Sequence, residues 1–301
     1  MSAVNGDSFY EALMPRLRAG AAMVTSPWFD LEQDELLRAW LLALPFADDA
    51  VSELNVTLAV DGGRLRWSAA GAAEYLIPVM ADFFAHVGAD PAALEYLNQV
   101  GSVIGPPEVG HWLEARPGAL NAGWTFPNPV VLDDVLGLLP AGPPVNALRQ
   151  WAAQYGIDYV SRLGAAVGGG NPYSMIALPL PDEDDVERQM FVALQLLERL
   201  PAQFPPDEAL AVLLSGIHGG LSVSLWLTAR GVVKAGIVAN RPDRLLSLDL
   251  AQVVGVYDFE PLARVEGSML VDGPAAAEAL TRVNGFGVML HYELWGDAPG
   301  E

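Results

Sequence analysis

Leu221-Ser-Val-Ser-Leu-Trp-Leu-Thr-Ala-Arg-Gly-Val-Val-Lys-Ala-Gly-Ile-Val-Ala-Asn240 decides how this chain is read. Successive residues of a strand point to opposite faces, so Val223, Leu225 and Leu227 share one side while Ser222, Ser224, Trp226 and Thr228 share the other. Arg230-Gly231 supplies the turn. Two further segments have the same form. Glu53 to Val60 alternates strictly, Asp61-Gly-Gly63 turns, and Arg64 to Ala69 returns. Ile157 to Val167 and Pro172 to Leu180 flank Gly168-Gly-Gly-Asn171. Each hairpin runs into a helical pattern, which predicts an α+β fold: a closed antiparallel β-barrel of repeated αββα units with helices outside and a polar interior. A single domain over residues 1–301 is expected.

The segments between the hairpins are read from apolar spacing and end signals. Residues 8–24 and 31–45 are apolar at helical spacing, the second opened by Asp30. Helices are also predicted over 72–86 and 91–100, and over 143–155, where Pro143-Pro144 opens and Gly156 stops the run. The acidic Pro181-Asp-Glu-Asp-Asp185 caps a helix over 184–200, and another helix is expected around 244–254. Short strands are read at 112–116 and 120–126, and a last strand pair at 263–271 with 286–295.

Composition limits the partners. The 37 acidic and 16 basic residues leave a net charge of −21, which repels a phosphate backbone or an anionic membrane, so no nucleic acid and no membrane are expected. The absence of cysteine excludes disulfides, thiolate metal sites and a cysteine nucleophile. The first residues, Met1-Ser-Ala-Val-Asn-Gly-Asp-Ser8, lack a basic patch followed by an apolar run, and a cytoplasmic monomer is expected. His86, His111 and His218 have no ligand spacing, and the acids at 182–185 sit at a helix start, so neither metal nor cofactor is expected.

Trp124-Thr-Phe-Pro-Asn-Pro129, Asp133-Asp-Val-Leu-Gly-Leu-Leu-Pro140, Pro143-Pro144 and Leu148-Arg-Gln-Trp-Ala-Ala-Gln-Tyr-Gly-Ile157, followed by a hairpin, resemble the corresponding stretch of the soluble bacterial aromatic prenyltransferases, the ABBA or PT-barrel family. Leu221 to Asp243 is similar to another hairpin of that family, and the likeness extends over residues 50–295. It implies a PT barrel that holds an allylic diphosphate beside an aromatic small molecule. It also implies inward Arg, Lys and Tyr side chains that stabilise the leaving group.

Carried onto this chain, the resemblance makes Lys234, its one lysine, the best diphosphate contact. Arg64 and Arg66 share a face of the first hairpin, and Arg162 lies on the second. Ser224 stands where one subgroup has Tyr, Gly285 where it has Lys, and Trp124 follows Gly123 where a basic pair is expected, so the cradle is incomplete. Trp226 lies on the polar face of its strand, and Tyr173 and Trp295 join it as candidate substrate contacts. His291 and Glu293 share a face of the last strand, where either could accept the proton lost by an aromatic ring.

Two function classes stay open. The first is prenyl transfer in secondary metabolism, with a variant that cyclises or rearranges a large apolar substrate without diphosphate. The second is a binding protein that shelters an apolar small molecule.

Overall fold

The computed structural model describes residues 31–44, 51–59, 64–103, 108–116, 119–168, 173–181, 185–200, 220–240, 276–282 and 285–295, with Asp7, Tyr10, Glu11 and Met14. Over 51–66 and 276–295 it describes the backbone alone. The strands are β1 (Val51–Ala59), β2 (Arg64–Ala72), β3 (Glu108–Arg116), β4 (Ala119–Val131), β5 (Tyr159–Gly168), β6 (Ser174–Pro179), β7 (Leu221–Leu227), β8 (Val232–Asn240), β9 (Ala276–Arg282) and β10 (Gly285–Trp295). The helices are α1 (Leu31–Ala43), α2 (Ala73–His86), α3 (Pro91–Val103), α4 (Leu132–Leu136), α5 (Pro143–Tyr155) and α6 (Val186–Leu197).

Every strand pairs antiparallel with its neighbours in sequence. This architecture corrects the expected closed PT barrel of repeated αββα units. By themselves β1 to β8 make an open sheet of eight strands with β1 and β8 at its edges, and the helices are few. The opening is spanned by one hairpin, β9–β10, whose backbone pairs with β8 on one side and β1 on the other, so only that hairpin completes the ring of strands. From β7 onward four strands follow one another with no helix among the described residues, and helices contact β2, β3, β4, β5 and β7. Alternation misled here for a physical reason. A two-residue period fixes which face each side chain takes but carries nothing about whether distant edges meet or what covers them.

Several local expectations agree with the coordinates. Asp185 accepts from the Arg188 amide at 2.9 Å at the start of α6, and Gly156 ends α5 in the left-handed region at φ 67°. The last strand pairs with 276–282, while the expected partner 263–271 lies outside the described residues, along with most of the helix predicted over 8–24 and the one around 244–254.

One face of the sheet is apolar and covered. Trp67, Leu113, Trp124, Leu163, Ile176 and Leu225 are buried on it against the helices. Burial of side chains this size stabilises the fold by about 1.5–3 kcal/mol each. Several polar atoms under this cover have partners of their own, although Trp67 Nε1 and His111 Nε2 have no hydrogen bond. Trp124 Nε1 donates to the Leu97 carbonyl at 3.0 Å, and Trp151 Nε1 donates to that of Val192 at 2.8 Å. Gln189 of α6 is a three-way clamp: its Nε2 donates to the Leu180 and Pro181 carbonyls at 3.0 Å, and its Oε1 accepts from the Leu221 amide at 2.9 Å. It ties the end of β6 to the start of β7.

His111 sits at the centre of the aromatic part of this core, fully buried beside Phe84 (ring centroids 5.1 Å), Trp124 (5.3 Å) and Trp40 (6.3 Å). Its Nδ1 accepts from Trp40 Nε1 at 3.2 Å. Burial pushes its pKa down from 6.5 to about 3. The unfolded chain therefore takes up this proton near pH 6.5 and the folded chain only near pH 3. Lowering the pH through that window favours unfolding by up to about 1.4 kcal/mol per pH unit. In urea melts between pH 7 and pH 4, His111→Gln is expected to lose stability less steeply than wild type. Parallel losses would refute the assignment.

Candidate functional site

The opposite face of the sheet carries the polar residues, and strand register arranges them in rows. One row runs Ser68, Trp112, Gly123, Gly164, Met175, Trp226, Lys234 and Arg282, each opposite the next across adjacent strands from β2 to β9. Trp112, Met175, Ala177 and Trp226 form a buried apolar cluster separate from the main core, with Tyr173 packed on it. This inner wall is aromatic as well as polar.

Glycine gives the wall its shape. A Cβ on Gly164 would stand 2.3 Å from Cζ2 and 2.9 Å from Cη2 of Trp112, so the indole reaches from β3 across β4 and lies against bare backbone. Gly123, between them in the row, has equally little room: its Cβ would meet the Leu163 carbonyl oxygen at 2.0 Å. Gly164 thus makes the bed on which one large ring lies, and Gly123 lets the backbones of β4 and β5 come close.

At the far end of the row, Lys234 Nζ stands 3.8 Å from the centroid of the Trp226 ring, and the residue is only 8 % exposed. A cation over an indole face is attracted by the ring quadrupole, more strongly when water is excluded. Arg282 faces Lys234 in the backbone register, so two basic residues are neighbours across β8 and β9.

A second row brings Arg66, Glu114 and Asn121 into register across β2, β3 and β4. Glu114 and Asn121 are buried. Asn121 Nδ2 donates to Glu114 Oε1 at 3.3 Å, and Tyr173 Oη donates to Asn121 Oδ1 at 2.6 Å. A third row joins Thr125, Arg162, Ala177, Ser224 and Gly236.

Of the residues selected from sequence, Lys234, Trp226, Ser224, Arg162 and Tyr173 therefore come together on one wall. Arg64 and Arg66 stand opposite Ala59 and Thr57, while His291, Glu293 and Trp295 stand opposite Ala59, Thr57 and Val56. The side chains of these last five lie outside the described residues. Sequence reasoning passed over Trp112, Met175, Glu114 and Asn121. Glu114 and Trp112 alternate with His111 and Leu113 on β3, and reading that period in 108–116 would have placed them inside. Gly123 and Gly164, isolated within strands, were the further sign of a close approach.

Among the described residues no group of His, Cys, Asp and Glu has the arrangement of a metal site, and no helix is long and apolar enough to cross a membrane. No known family profile matches the chain. It is 27 % identical over 294 residues to a PH domain-containing protein of Dictyostelium discoideum, a match that covers 93 % of this chain and 63 % of that protein. The chain thus spans less than two thirds of the relative's length.

The contact between Gly164 and Trp112 can be tested directly. In Gly164→Ala the new methyl also meets the Ala122 carbonyl oxygen at 2.6 Å, so relaxation must displace the indole or the backbone. Overpacking of this kind is expected to cost about 1–3 kcal/mol and to alter the near-ultraviolet tryptophan signal. Unchanged thermal stability together with an unchanged spectrum would show that the ring does not lie there.

Proposed function

We propose that the inner wall is the substrate site of an enzyme that transfers a prenyl group from an allylic diphosphate to an aromatic small molecule. The observation that carries this reading is Lys234, a buried cation 3.8 Å over Trp226 beside the apolar cluster of Trp112, Met175 and Ala177. In the reaction the allylic carbon–oxygen bond breaks and the diphosphate leaves with the electron pair. A ring carbon of the acceptor attacks the allylic cation and then loses its proton to a base.

Each step has a residue suited to it. Lys234 stabilises the departing anion where charge develops, with Arg282 opposite it in register. Trp226 and Trp112 offer π faces to the cation and a surface for the acceptor ring. The buried carboxylate of Glu114 is a described base on the same wall. Neither metal nor cofactor is part of the proposal. We place the enzyme in the cytoplasm as a monomer, a location that suits a chain without cysteine.

A second reading keeps the wall and drops the diphosphate: a large apolar substrate is cyclised, rearranged or simply bound. Glu114 favours it, because an acid on the same wall opposes a highly charged donor. Calorimetric titration with dimethylallyl and geranyl thiolodiphosphate, which are unreactive donor mimics, decides between the readings. Wild type is expected to bind at least one, and Lys234→Met to bind it ten- to a hundredfold more weakly, about 1.5–3 kcal/mol. If wild type binds neither, the second reading replaces the first. If both proteins bind equally, Lys234 is not the anion contact.

A further inference from the structure

We propose that the seam between β1 and β10 parts sideways and is the entrance by which an apolar small molecule reaches the inner wall. The inference rests on the reading that this wall holds such a molecule, and it adds the way in.

A ligand needs an entrance because the wall is covered. Trp112 and Met175 are 3 % exposed and Trp226 5 %, so no sizeable molecule meets them until part of the ring of strands moves. Strand register locates where that ring is least held. Over the described residues β1 and β10 stand opposite each other at four positions, Val56–Ala59 against His291–Trp295, and a bulge between the pairs of Val56 and Thr57 leaves Leu294 without a partner in register. Such a bulge locally disrupts the ladder of hydrogen bonds. By contrast β8 and β9 are opposite at seven positions, β9 and β10 at seven, and β1 and β2 at eight.

This seam also lacks the supports that another short pairing has. β5 and β6 are opposite at four positions too, but they are the arms of one hairpin and bury Leu163 and Ile176 in the core. β1 and β10 are the first and last of the described strands, so holding them together closes the longest loop in the ring. The described helices pack on β2, β3, β4, β5 and β7, and β1, β9 and β10 have no comparable cover among the described residues. Segments with few packed contacts open at the lowest free energy. Parting this seam separates the hairpin β1–β2 from the hairpin β9–β10 and leaves every other ladder intact.

The chain has no cysteine, so a pair introduced across the seam can oxidise only with itself. Adjacent opposite pairs of an antiparallel ladder alternate between close and wide spacing. Of Leu58→Cys/Tyr292→Cys and Ala59→Cys/His291→Cys, one therefore has the closer spacing that suits a disulfide. Val238→Cys/Glu278→Cys and Ala239→Cys/Ala277→Cys lock the β8–β9 ladder in the same way as controls. Each protein is compared oxidised and reduced, by amide hydrogen exchange without ligand and by stopped-flow tryptophan quenching with naphthalene. Oxidising the seam pair is expected to slow exchange at residues 56–59 and 291–295 about tenfold or more, because parting is what exposes those amides. Entry and exit of naphthalene are both expected to slow about tenfold or more while affinity stays within about twofold, since a gate acts on the two rates alike. The control lock is expected to leave these rates unchanged. Unchanged exchange after oxidation overturns the parting of the seam. Slowed exchange with unchanged entry, or equal slowing of entry by the control lock, overturns the entrance and leaves the reading of the wall standing. If wild type binds no naphthalene, that reading fails and the entrance with it. Failure of both seam pairs to oxidise overturns the register on which the inference stands.

Discussion

The two-residue period of the strands, held in register by burial of one face beneath helices, is the constraint on which the rest of the molecule depends. Leu225 and Ile176 cannot leave the covered face without exposing apolar surface, and this pins Trp226, Met175 and Ser224 to the other. A slip of one residue in β7 would bring Ser222 and Ser224 into the core and turn Val223 and Leu225 inward. The chemistry of the inner wall is thus fixed by packing on the far side of the sheet, where no ligand would touch.

That wall is not uniform. Lys234 stands at one part of it and Glu114 at another, with Met175 and Trp112 in the row that leads away from Lys234. The arrangement needs Gly164, since any side chain there would lift the Trp112 indole and break the continuous surface between the two.

Much of this was legible in the sequence because alternation is a local signal. The faces of β7 and β8, the end signals of α5 and α6, and the joint placement of Lys234, Trp226 and Ser224 follow from residues a few positions apart. What the sequence left unread depends on pairing between distant segments. The 108–116 stretch is rich in mixed residue types, and Glu114 becomes a buried wall residue only because β2 and β4 flank it. The opening between β1 and β8, and the hairpin that spans it, are likewise properties of edges that periodicity does not encode. His111 looked like one of several scattered histidines, and its burial among Trp40, Phe84 and Trp124 comes from three separate elements converging.

Gln189 has a consequence for the order in which the chain assembles. The hairpins β5–β6 and β7–β8 join strands only a few residues apart and cost little loop entropy, whereas the β6–β7 pairing must bring Pro179 and Ser222 together across a longer stretch that includes α6. The clamp engages both banks of that gap through one side chain on the segment itself. Docking of α6 and zippering of β6 onto β7 are therefore one cooperative event. Joining β6 to β7 thus spans more chain than closing either hairpin, with α6 as the bracket between the two.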